Sequence, residues 1–192
     1  VLELRSTATS PQFTLLDNND NSPGGAPEAL YVDTLIVPGN HTLDLNGLNL
    51  YARNAQLDGT ITGGNVTIVS AVGALPLETY VSSIIQPSGE IEEWTFDGQA
   101  GVPMTVRVEP GGGSSDLPVP PTLDRAKIEL ISPSDQVVAI AESVTPGIPV
   151  QIPGALLPET GTYRLRISAD STVPGATGNY RVVVGEGKLD SA

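Results

Sequence analysis

A chain of 192 residues with 39% hydrophobic content can fill one large β domain or two small ones, but with aromatics at only 4% its core must rest on Val, Leu and Ile, which suit pleated strands better than helices. The formal net charge is −13, divided as seven acidic and two basic side chains over residues 1–75 and fifteen and seven over 76–192; such a surface makes nucleic acid and anionic lipid poor partners and is compatible with cations or with a plain soluble exterior. The absence of cysteine rules out disulfides, thiolate metal sites and cysteine nucleophiles, and no apolar run approaches the roughly 20 residues of a membrane helix.

Residues 1–72 alternate apolar and polar side chains in very short runs. Leu35-x-Val37, Leu43-x-Leu45, Leu48-x-Leu50 and Val66-x-Ile68 each predict a strand of two or three residues with one buried face. Pro38-Gly39, Asn46-Gly47, Asp58-Gly59 and Gly63-Gly64 stand between them as turns. A shift of 22 residues puts Phe13 on Leu35 and Leu57, and a shift of 23 puts Leu43 and Leu45 on Val66 and Ile68. Stacked coils of a parallel β-helix produce such a near-repeat, because each coil buries its apolar residues against the next. An antiparallel meander is the alternative.

Within this half, Asp17, Asn19, Asn21 and Glu28 occupy positions 1, 3, 5 and 12 of a calcium loop, whose oxygens would surround a hard cation. Ser22 stands where the sharp turn wants Gly, and Pro23 follows, so the competing reading is a solvated Asx-rich turn. His41 is the single histidine, which excludes a two-histidine metal site; it lies in a turn-like Gly39-Asn40-His41-Thr42 and no nucleophile elbow accompanies it. Asp44 and Asp58 are the coil carboxylates best suited to polysaccharide chemistry. Only Arg5 and Arg53 could serve beside them. Asn40-His41-Thr42 and Asn65-Val66-Thr67 match the N-glycosylation pattern, with no modification expected.

A boundary is expected near 70–78, with 73–78 as a linker. From Thr79 to Lys188 the runs lengthen to "TYVSSIIQ", "EIEEWTFDG", "MTVRVEPG", "AKIELISP", "VVAIAES", "PVQIPGALLP", "TYRLRISAD" and "NYRVVVGEG". Eight strands bounded by Gly, Pro, Ser or Asp predict a β-sandwich or jelly roll. Tyr163, Leu165 and Ile167 should face inward, as should Tyr180, Val182 and Val184, with Arg164, Arg166 and Arg181 outside. The stretch 111–124 reads as an exposed loop inside the sandwich. Glu92 and Glu93 are consecutive on a strand and point to opposite faces, so they cannot converge on one glycosidic bond. Trp94 and Phe96 share a face, either as sandwich core or as a sugar-stacking pair.

The run from "EIEEWTFDGQAGVPMTVRVEP" through "AKIELISPSDQVVAIAES" and Leu157-Pro158-x-x-Gly161-Thr162-Tyr163 to Gly178-x-Tyr180 resembles the bacterial pre-peptidase C-terminal domain over residues 84–187. That resemblance implies a jelly-roll accessory module of secreted hydrolases and surface proteins, non-catalytic, in some members binding calcium or an extracellular polymer. Calcium-binding members carry an Asp-x-Asp before the middle strand; here Asp124 would be the first and Ala126 stands in the second place, so calcium is not expected there, and Asp135 sits in a plain hairpin turn. Residues 1–70 resemble, more loosely, the terminal coils of a parallel β-helix surface protein.

The expected architecture is thus all-β, with short parallel β-helix-like coils (the end of a solenoid) followed by a sandwich. The chain begins at Val1 without a visible signal peptide and reads as a mature or excised piece. The expected function is a secreted or cell-surface accessory or adhesion module with no catalysis. Its partners would be an extracellular polysaccharide, a protein polymer or neighbouring domains, with no nucleic acid and no membrane insertion; calcium is the one candidate cofactor. Two alternatives stay open: a structural or assembly piece of a filament or surface layer, and a truncated β-helix polysaccharide-active enzyme.

Overall fold

The computed structural model describes residues 1–18, 28–69, 73–111 and 118–187, and the chain divides into two units, Val1–Val69 and Ser70–Ala192. The first unit holds β1 (Leu2–Glu3), β2 (Gln12–Thr14), β3 (Ala29–Val37), β4 (Thr42–Asp44), β5 (Asn49–Leu57), β6 (Thr60–Thr62) and β7 (Val66–Ile68). They form two sheets, β1-β3-β5-β7 and β2-β4-β6, and every pairing is parallel. A parallel ladder needs a crossover between its strands; here the crossover is the other sheet, so the chain winds as coils.

The coil register differs from the expected shifts of 22 and 23. Leu35 lies level with Ala55, Leu43 with Ile61 and Leu50 with Val66, offsets of 20, 18 and 16 residues, while Phe13 lies level with Leu43, 30 residues on. Turn lengths vary from coil to coil, so no single period aligns all faces. The strands β3 and β5 are also longer than dyads, because each continues around a corner. In β3 the partly buried Val32 has one parity and the buried Leu35 and Val37 the other. In β5 the buried Leu50 and Ala52 have one parity and Ala55 the other, and buried Asn54 donates from Nδ2 to the Asp33 carbonyl of the preceding coil at 3.0 Å. That bond satisfies a carbonyl which the bend removes from the ladder. Leu35, Val37, Leu43, Leu45 and Leu50 fill the coil interior with no exposure at all.

The second unit holds β8 (Gly73–Ala74), β9 (Val81–Ile85), β10 (Ile91–Gly98), β11 (Pro103–Glu109), β12 (Ala126–Ile131), β13 (Val137–Glu142), β14 (Val150–Leu156), β15 (Gly161–Ala169) and β16 (Gly178–Glu186). Two sheets face each other, β13-β12-β15-β10-β8 and β14-β11-β16-β9, antiparallel except for β8 on β10. All eight runs expected as strands are strands. The inward faces contribute Trp94, Phe96, Ile128, Tyr163, Leu165 and Ile167 from one sheet and Met104, Val106, Val108, Ile152, Tyr180 and Val182 from the other. No helix occurs among the described residues.

Two segments of this unit are more integrated than their composition suggests. Residues 73–78, expected as a linker, supply β8 and the buried Leu75, whose amide donates to the Thr95 carbonyl at 2.7 Å. Of the loop expected as exposed over 111–124, residues 112–117 lie outside the described residues, while Val119 and Leu123 are buried. The loop end is tied to β16, with Asn179 donating from Nδ2 to the Val119 carbonyl at 2.8 Å. Gly178 makes this closeness possible. Its φ is +150°, and a Cβ there would sit 2.4 Å from the Thr122 carbonyl group. Gly161 has φ +153° against Pro133, a conformation costly for any side chain.

Candidate functional site

The expected calcium loop is described only at its ends. Asn19 and Asn21 lie outside the described residues. Asp17 and Glu28 line one open cleft of about 390 Å³, together with Asn18 and the leucines Leu15, Leu16 and Leu30. Calcium takes roughly six to eight oxygens; the described part of the cleft offers two carboxylates and one amide over an apolar floor. Among the described residues no group of three or more His, Asp or Glu side chains is placed to hold a metal ion.

The other coil residues singled out by sequence have packing or turn roles. His41 is 5% exposed, its ring lies parallel to Phe13 at 5.8 Å, and its Nδ1 is 2.6 Å from the Asn40 Oδ1. An amide oxygen only accepts, so Nδ1 carries the proton. Asp44 accepts the Asn46 amide at 3.0 Å and shapes the Asn46-Gly47 turn. Asp58 accepts from Gln56 Nε2 at 2.5 Å. Asp44 ends β4 and Asp58 precedes β6, and those strands are parallel, so the two carboxylates stand at opposite ends of one coil face.

In the sandwich, Glu92 and Glu93 do point to opposite faces, with a consequence the sequence reading missed. Strand alternation that turns Trp94 and Phe96 inward turns Glu92 inward with them. Glu92 is 1% exposed; it accepts from the Ser83 hydroxyl at 2.8 Å and from the Tyr180 hydroxyl, which in turn accepts from Trp94 Nε1 at 2.9 Å. Burial, then the neighbouring Glu92 charge, holds the Tyr180 phenol well above its ordinary range, so it stays a donor. A buried carboxylate is costly unless its oxygens are satisfied. This network supplies its donors and is sealed from solvent. Trp94 and Phe96 are core at 2% and 3% exposure, not a sugar platform.

The outer faces carry cross-strand ion pairs. Glu93 accepts from Arg166 at 2.9 Å and pairs with Arg164 at 3.5 Å, and Arg164 also binds Asp135. On the other sheet Arg181 lies 4.1 Å over the Tyr80 ring, and the Tyr80 hydroxyl donates to Glu109 at 2.9 Å. Asp124, with φ +62°, accepts from the Thr122 hydroxyl at 2.5 Å in a loop turn.

One exposed feature was absent from the sequence reading. Tyr31 on β3 and Tyr51 on β5 are level in the parallel ladder, and their rings stack at 4.7 Å and 11°. Tyr31 is 70% exposed. The signal was the twenty-residue echo of Leu30-Tyr31 in Leu50-Tyr51, hidden because the shifts considered were 22 and 23.

No family model and no curated protein matches the chain. Solved structures do. The chain is similar to the pre-peptidase C-terminal domain of a collagenase from Bacillus anthracis, at 14% identity over 59% of this chain and 94% of that one, with a TM-score of 0.44. It is also similar to a periplasmic inhibitor of g-type lysozyme from Aeromonas hydrophila, at 16% identity over 59% and 96%, TM-score 0.36. A mutant of an Escherichia coli inhibitor of g-type lysozyme gives 15%, 59%, 96% and 0.35 in the same order.

Proposed function

We propose that the chain is a non-catalytic, extracellular accessory module that holds or presents a larger protein to a polymer or cell surface. The observation that carries this is the assignment of its groups. Each candidate reactive side chain has a structural occupation: Glu92 beneath Tyr180, His41 against Phe13, Asp44 and Asp58 each in its own turn. What faces solvent instead is a rigid aromatic pair on a strand surface and two sheets laced with paired charge. Binding to an extended polymer needs no more than such surfaces.

The test is a panel of plant, algal and bacterial polysaccharides and collagen, scored for both retention and breakdown. Retention without products is expected. Turnover that disappears in Asp44→Ala or Asp58→Ala would replace this reading with the truncated enzyme. Neither retention nor turnover would replace it with the assembly role, to be followed by mass measurement in solution.

A further inference from the structure

We infer that the Tyr31–Tyr51 stack is a glycan platform, on which the outer face of Tyr31 takes the apolar C–H face of a neutral pyranose. This rests on the accessory-module reading and names its site. The chain has one Trp, two Phe and five Tyr. Trp94, Phe96, Tyr163 and Tyr180 line the sandwich core, Phe13 packs on His41, and Tyr80 lies under Arg181. In a chain this poor in aromatics, a tyrosine left 70% exposed on a regular strand is the informative exception.

The geometry makes the ring a platform rather than a loose side chain. Parallel strands lie about 4.8 Å apart, so level side chains stack at that spacing, and the 4.7 Å between rings is the register made visible. Tyr51 therefore backs Tyr31 and fixes its plane. On the other side β1 pairs with β3 only at Leu35 and Ile36, so among the described residues no strand lies beside Tyr31 away from Tyr51. Among the described residues that side of the Tyr31 ring is open, and the stack pre-orients it, which lowers the ordering cost of binding.

The surroundings select the ligand class. Asp33 and Arg53, each two residues along from a ring, are both exposed and supply a carboxylate and a guanidinium for hydroxyl groups. The seven acidic and two basic residues of this half weigh against nucleobases on a phosphate chain and against uronic-acid polymers. Asp33 and Arg53 flank the rings with opposite charges, so the immediate surroundings favour a neutral ligand over a cationic or an anionic one. A flat aromatic face fits a sugar whose hydroxyls are equatorial, because an axial group lifts the ring away. The occupant is thus a neutral β-linked glucan or xylan.

The test is electrophoresis of the full chain through gels holding hydroxyethylcellulose, mixed-linkage β-glucan or xylan, with polygalacturonate gels and collagen binding in parallel. Wild type should be retarded by at least one neutral glycan. Tyr31→Ala should weaken that affinity about tenfold or more, the scale of one lost stacking contact, and Tyr31→Phe, which keeps the ring, should restore it. Circular dichroism of the exposed-site variants should match wild type. Retardation undiminished in Tyr31→Ala, or retention only by polygalacturonate or collagen, overturns the platform and leaves the accessory reading standing. Retention by none of the polymers overturns both. Quenching of Tyr31 by an oligolysine peptide but by no glycan would make the site cationic-peptide binding and overturn the glycan assignment.

Discussion

The coil unit and the sandwich use tyrosine in opposite ways. In the sandwich, strands run antiparallel, and Tyr163 and Tyr180 lie on inward faces between two sheets, fully buried. In the coil, strands run parallel at one fixed spacing, and identical positions recur one above the other on the outside as well as the inside. Two sheets pressed together bury these rings at their interface. The one tyrosine outside it, Tyr80, is held by a cation, with Arg181 4.1 Å over its ring, rather than by another ring. A solenoid gives a ring an inner and an outer place, and on the outer one neighbouring rings order each other without being buried. The difference shows why an exposed stack can be rigid: the ladder that aligns the backbone aligns the side chains too.

The contrast breaks most readily at the tyrosines. Tyr163 has no exposure, stacks with Phe96 at 5.6 Å and donates its hydroxyl to the Glu159 carbonyl at 2.7 Å. Tyr163→Ala should therefore destabilise the chain by about 3–5 kcal/mol, the range for deleting a buried aromatic. Tyr31→Ala should cost within about 0.5 kcal/mol, as for surface changes generally. Urea unfolding of both variants checks this. A Tyr163→Ala loss under about 1 kcal/mol would mean that the sandwich core does not depend on its rings.

Next in size is Tyr180→Phe. It removes the donor to Glu92 and the acceptor for Trp94 Nε1, so it should cost about 1–3 kcal/mol, the penalty of buried polar groups left without a partner. It also has a pH signature. The folded Tyr180 phenol titrates far above the unfolded value of about 10. A raised folded value means that the contribution is complete below the unfolded value and is lost as pH rises through the folded one. Wild type should lose stability above about pH 10, and that slope should be shallower in Tyr180→Phe. On the acid side, Asp170 is held below its ordinary range by the Thr172 hydroxyl, so its contribution is present above the unfolded value and lost as pH falls. Thermal melts across pH, in wild type and variant, separate the two branches.

Much of the sandwich was legible because its strands are long enough for alternation to fix each face. Tyr163-x-Leu165-x-Ile167 declares its burial, and the Gly, Pro, Ser and Asp residues that bound the runs declare their ends. The coils were legible as coils but not in register, since variable turns spoil any constant shift and the corner at Asp33 and Asn54 reverses parity within one strand. The stacked tyrosines were lost with the register. The buried Glu92 was available from the same alternation that placed Trp94, yet a carboxylate reads as surface until its partners Ser83 and Tyr180 are seen, and they lie 9 and 88 residues away. The stretch 73–78 reads as a linker because β8 has only two residues and finds its partner in space.

A smaller effect is expected from the sandwich exterior. Arg166→Ala removes the 2.9 Å contact to Glu93, with side chains that are 40% and 37% exposed, and partly exposed pairs contribute under about 1 kcal/mol. The loss should shrink as salt is raised from about 0.1 M to 1 M, since the Debye length falls from about 10 Å to 3 Å. A salt-independent loss would show that the arginine stem packs on the sheet, rather than its charge, and the outer face would then resemble the core more than the comparison allows.

Calcium is the smallest effect and the one that separates the two units by chemistry instead of packing. We propose weak binding at the coil cleft flanked by Asp17 and Glu28, and none near Asp124, whose side chain is engaged by Thr122 in its own loop turn. Extracellular calcium sites bind at about 0.1–1 mM. At about 1 mM calcium and a Kd of about 1 mM, linkage contributes RT ln 2, or about 0.4 kcal/mol. That is a melting shift of about two to three degrees for a unit of the coil's size. Titration calorimetry is the sharper measurement, because the heat of binding does not depend on which unit unfolds first. Wild type and Asp124→Ala should give the same isotherm, and Asp17→Ala should give none. Magnesium, which demands near-octahedral geometry and sheds water reluctantly, should not substitute at equal concentration. An isotherm unchanged in Asp17→Ala would move the site out of the cleft, and no heat from wild type would leave Asp17 and Glu28 as two surface carboxylates over a leucine floor.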